Sequence, residues 1–105
     1  MPLTRRFKET VQDRVQGDPA FREALLREGV QCLLAGDVDT GKLILRDYIN
    51  ATIGFESLGL AVDRPPKSLM RMFGRRGNPN ARNLLAVIDH LQRASGIELK
   101  VEARH

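Results

Sequence analysis

Apolar residues recur at helical spacing along most of the chain, and the runs break at glycine, proline and capping residues. Thr4 can cap a first helix in which Phe7, Val11 and Val15 recur every fourth position between charged residues, so only a narrow stripe is buried. Gly17 ends it. Asp18 followed by Pro19 supplies a cap and a first-turn proline for a second helix. That helix carries Phe21, Leu25 and Cys32 on one side and Leu26, Val30 and Leu33 on the next, an apolar arc broad enough to lie between two neighbours. Gly36 and Asp37 interrupt the pattern. Asp39 or Thr40 starts a third helix, which carries Ile44, Leu45, Tyr48, Ile49 and Ile53 and ends at Gly54.

The next stretch, Phe55 to Gly74, reads FESLGLAVDRPPKSLMRMFG: two short apolar-patterned segments around a break at Asp63 to Pro66. Leu58, Val62, Leu69, Met72 and Phe73 fall where a two-helix corner buries side chains, and Gly59 allows the helices to approach. This is the layout of a helix-turn-helix unit, whose second helix enters the DNA major groove. With Leu69, Met72 and Phe73 turned inward, Lys67, Met70 and Arg71 face out and Ser68 lies at the edge. A polar loop, RRGNPN, follows; Asn78 before Pro79, or Asn80 before Ala81, can cap a last helix with Leu84, Leu85, Val87, Ile88 and Leu91 that stops near Gly96. The tail IELKVE then changes to period two, with Ile97, Leu99 and Val101 on one face, the pattern of a half-buried strand. No other segment reads as a strand, so its pairing partner must come from outside the chain. The same strand of a second copy, paired across a two-fold axis, is the simplest source. A frayed tail is the alternative.

Charge sharpens the picture. Arg64 to Arg82 holds six basic residues (Arg64, Lys67, Arg71, Arg75, Arg76, Arg82) and no acidic one, whereas the rest of a chain of net charge +4 sums to −2. Such local basicity suits a nucleic-acid footprint. Arg71 is placed for a bidentate contact to a guanine edge and Lys67 for a base or a phosphate. Ser68 suits a phosphate or base edge, while Arg75 and Arg76 suit the phosphate backbone, with Arg82 on the same surface. The absence of tryptophan and the scarcity of other aromatics argue against single-strand binding by base stacking. With 105 residues, a lone cysteine and no long apolar run, the sequence predicts one soluble, cytoplasmic domain without a membrane role. Within it, residues 1–36 form an N-terminal helical pair, 37–96 the helix-turn-helix core and 97–105 the strand and tail.

Catalytic chemistry finds little support. Gly36 to Lys42, GDVDTGK, matches most of a phosphate-binding loop, but position 43 is Leu rather than Ser or Thr, no strand precedes it, and Asp37 and Asp39 would repel phosphate. The spacing of Asp37, Asp39 and Gly41 lacks the remaining ligands of a calcium loop. Both readings reduce to a helix connection. His90, His105 and Cys32 show no metal-ligand or nucleophile spacing. Neither an enzyme nor a metal or other cofactor is expected.

Three segments, LTRRFKETVQDRV, LILRDYINATIGFESLG and PKSLMRMFGRRGNPNARNLLAVIDHL, together resemble the addiction-module antidote proteins, HigA-like antitoxins of the Cro/repressor helix-turn-helix type. The most specific part is KSLMRMF followed by GNP. The resemblance implies an all-α, five-helix, lambda-repressor-like core, to which the residues themselves add the N-terminal helices and the short C-terminal strand for dimer pairing read above. It further implies binding of double-stranded operator DNA as a homodimer, autorepression, and neutralisation of a RelE-like toxin. Asp63 stands where such turns usually carry Gly, Gly59 where they carry Ala, and Phe55 where a polar residue often touches a phosphate. Two readings follow: a sequence-specific DNA-binding regulator, or an interaction module that mainly binds a partner protein with weak or no specific DNA binding.

Overall fold

A computed structural model describes residues 13–105, and all of their regular secondary structure is helical. Residues 13–17 are helical, and Val15 among them is fully buried; the expectations for Thr4, Phe7 and Val11 lie outside the described residues. Five helices follow: α1 (Pro19–Leu34), α2 (Val38–Ala51), α3 (Phe55–Val62), α4 (Pro66–Met72) and α5 (Ala81–Ser95). The chain is all-α.

The helix ends show how local chemistry sets the elements. The Asp18 carboxylate accepts from the Ala20 and Phe21 amides at 3.1 and 3.2 Å, capping α1 with Pro19 in its first turn. The α2 cap is Asp37, which accepts from the Thr40 amide at 3.3 Å, so the helix starts ahead of the predicted Asp39 or Thr40. It ends at Ala51, and Gly54, expected as its terminus, instead enters α3 with φ 78°. Of the two candidates for the α5 cap, Asn80 does the work, accepting from the Asn83 amide at 2.8 Å. Gly96 closes that helix with φ 70°.

One cluster of buried side chains draws on all five helices: Leu26 from α1, Leu45, Tyr48 and Ile49 from α2, Phe55 and Leu58 from α3, Leu69 from α4 with Phe73 just beyond it, and Val87, Ile88 and Leu91 from α5. Leu85, read from spacing as part of the last apolar face, is instead 62 % exposed. No described helix is long and apolar enough to cross a membrane.

The tail differs from expectation. Residues 97–105 form no strand, because the described residues provide no neighbouring strand to complete a ladder. The period-two pattern nevertheless survives as burial: Ile97 and Leu99 are half-buried against the core, and Glu98 and Lys100 are exposed. The Ile97 amide donates to the Gln92 carbonyl at 3.0 Å and the Leu99 amide to Gln92 Oε1 at 2.8 Å. Of the three residues expected at an interface, Val101 alone is left exposed, at 83 %.

At the α3 to α4 corner, Gly59 does more than allow close approach. A Cβ there would stand 2.5 Å from the Arg64 carbonyl oxygen, and the Gly59 carbonyl accepts the Arg64 amide at 2.9 Å. Alanine is favoured over glycine within a helix by about 1 kcal/mol. At this site the clash outweighs that gain, and Gly59→Ala is expected to destabilise the fold by about 1–3 kcal/mol in urea denaturation. A stabilised variant would show that the corner is loosely closed.

Candidate nucleic-acid interface

The outward surface of α4 is set by how the helix is held. Asp63 takes the left-handed conformation (φ 56°, ψ 52°), which a short polar side chain tolerates, and turns the chain sharply after α3. Pro65 is extended (φ −61°, ψ 138°) and Pro66 opens α4, so two rigid residues aim the second helix. Leu69 is fully buried, and Phe73 is 2 % exposed with its ring 6.2 Å from that of Phe55 at an interplanar angle of 55°. Phe55, at the position where a polar group could meet a phosphate, is thus a core residue. These anchors fix the roll of α4. Lys67, Met70 and Arg71 are exposed and lie three and four residues apart on one face, while Ser68 and Met72 are half-buried at its margins.

Beyond α4 the chain makes a turn, closed by the Gly77 amide donating to the Gly74 carbonyl at 3.1 Å, and Arg75 and Arg76 are exposed on it. Gly77 lies so close to the end of α4 that a Cβ would collide with the Arg71 and Met72 carbonyls. Arg64 donates to Asn83 Oδ1 at 2.6 Å, and Arg64, Arg82 and Asn83 line one small hollow of about 140 Å³ between the corner and α5. The structure therefore joins Lys67, Met70 and Arg71 through one helix face, Arg75 and Arg76 through the adjoining turn, and Arg82 to Arg64 through the hollow.

The electrostatics point the same way. No ion pair between described residues engages any of the six cations; the two pairs present are Arg14 with Asp18 and Arg93 with Asp89. Lys67 and Arg82 lie in the first turns of α4 and α5, neither of which carries an acidic residue there. A cation at the positive end of a helix dipole costs about 0.3–1 kcal/mol rather than stabilising the helix. Their placement has no local structural benefit and suits an external polyanion.

Spacing missed one residue. Lys42 is 3 % exposed, and its Nζ donates to the Gly74 carbonyl at 2.9 Å and the Gly77 carbonyl at 2.6 Å. Its signal was visible as a lone lysine three and seven residues ahead of Leu45 and Ile49, on an otherwise apolar stripe. The GDVDTGK segment forms no phosphate cradle: of it only Gly36 and Asp37 lie in the connection between α1 and α2, and Val38 to Lys42 already belong to α2. Arg64 was counted as charge, but its bond to Asn83 was not foreseen.

Other chemistry is sparse among the described residues. Cys32 is half-buried, and desolvation followed by the Glu28 and Asp37 carboxylates raises its thiol above the ordinary value, which disfavours the reactive thiolate. A cleft of about 550 Å³ lined by Arg22, Tyr48, Thr52, Leu91 and Ser95 shares no residue with the basic surface. No family model, curated protein or solved structure matches the chain.

Proposed function

We propose that the chain is a sequence-specific regulator that binds double-stranded DNA, with α3 and α4 acting as a helix-turn-helix unit and α4 as its recognition helix. The observation that carries this reading is the fixed roll of α4: buried Leu69 and Phe73 present Lys67, Met70 and Arg71 outward beside the exposed Arg75 and Arg76. Arg71 reads a guanine edge, Lys67 a base or phosphate, and Met70 makes an apolar contact in the groove. Ser68, Arg75, Arg76 and Arg82 hold the backbone. A homodimer, joined by pairing of residues 97–101 between copies, would present two such helices to two half-sites. The role of an autorepressing antitoxin with a RelE-like toxin as partner rests on the resemblance in sequence.

Arg71→Ala tests the reading. With an operator selected from a randomised duplex pool, the variant is expected to lose about 1–3 kcal/mol of discrimination, roughly 5- to 150-fold, at one base position, and much less affinity for unrelated duplex. Binding of the wild type should fall steeply with salt. An equal loss on every sequence would remove the base-reading role and favour the partner-protein module.

A further inference from the structure

The geometry points to Lys42 as the residue that positions the DNA-facing Arg75–Arg76 turn. This deepens the DNA-binding reading and rests on it. A lysine ammonium is costly to bury unless hydrogen bonds replace its water. Here the replacements are two main-chain carbonyls, Gly74 at 2.9 Å and Gly77 at 2.6 Å, 32 and 35 residues further along the chain. No carboxylate among the described residues forms an ion pair with it. A residue needed only to fill space on the stripe of Leu45 and Ile49 would be apolar; the ammonium is retained for what it holds.

What it holds are the two ends of a turn. Drawing the carbonyls of Gly74 and Gly77 to one point beneath the surface leaves Arg75 and Arg76, the two residues between them, exposed. Gly77 is simultaneously seated against the carbonyl end of α4, where no side chain fits. The turn is thereby tied to both α2 and α4, so the backbone that carries Arg75 and Arg76 keeps a set position beside the outward face of α4. A turn whose backbone is ordered in advance spares that ordering cost when DNA binds.

The test is a double-mutant cycle between Lys42→Met and the pair Arg75→Ala/Arg76→Ala, read as affinity for a mixed-sequence duplex at fixed salt. In the parent background Lys42→Met is expected to weaken binding roughly tenfold, about the ordering cost of one residue's backbone. In the Arg75→Ala/Arg76→Ala background it should change affinity less than about twofold, because the groups it positions are gone. Lys42→Gln, which can still donate to one carbonyl, should fold where Met does not and give an intermediate loss with the same dependence on background. Equal losses in both backgrounds, or no loss in the parent, would overturn the positioning role. If Arg75→Ala/Arg76→Ala itself leaves affinity unchanged, the interface reading fails and the role of Lys42 fails with it.

Discussion

Phe73→Ala is expected to remove a large share of the stability of the molecule, about 3–5 kcal/mol by urea denaturation. Domains of this size have roughly 5–15 kcal/mol in all. The expectation follows from position as much as from size. Phe73 is 2 % exposed, its amide donates to the Leu69 carbonyl at 3.2 Å, and its ring meets Phe55 across the corner. Truncation would open a cavity beneath the C-terminal end of α4 and release the contact that, with Leu69, fixes the roll of that helix. Binding to selected DNA should therefore fall before the protein is globally unfolded, since the outward set of Lys67, Met70 and Arg71 depends on that roll. Met70→Ala, on a side chain 48 % exposed, is the control and should change stability by no more than about 0.5 kcal/mol. A loss below about 1 kcal/mol for Phe73→Ala would mean that the corner is not packed as described.

What could be read from sequence was the chemistry that acts over a few residues. Asp18 with Pro19, Asn80 and Gly96 each determine a helix end through bonds spanning two to four positions, so their meaning is contained in the local string. The α2 start was displaced because Asp37, Asp39 and Thr40 are all competent caps, and only the backbone after Gly36, with φ 85°, selects Asp37. The outward face of α4 was legible because the corner residues and the charges agree in one short segment. The role of Lys42 was not: its place on an apolar stripe hints at burial, but its two acceptors are far away in sequence, and the residues around it imitate a phosphate loop. Phe55 stands where a polar residue often touches a phosphate, which puts that contact in doubt from the sequence; the structure buries its ring in the core against Phe73.

The tail shows both sides of this division and leads to a sharper experiment than truncation. Removing residues 97–105 would delete the core contacts of Ile97 and Leu99 along with any pairing edge, so a loss of dimer and a loss of fold would be mixed. The hydrogen bonds separate the two. The amides of Ile97 and Leu99 are used within the chain, by Gln92, whereas no bond between described residues uses those of Glu98 and Lys100. In a paired strand successive amides alternate in direction, so the free pair are the donors an incoming strand would take. The double variant Glu98→Pro/Lys100→Pro removes those donors, together with the two side-chain charges, and keeps the amides of Ile97 and Leu99; proline is tolerated where its nitrogen faces away from the chain's own bonds. It is expected to shift the protein to monomer in sedimentation with little change in thermal midpoint. Affinity for an operator with half-sites about one helical turn, roughly 34 Å, apart should then fall on the order of 10²-fold. A dimer that survives both prolines would place the self-association elsewhere and leave the free edge to a different partner.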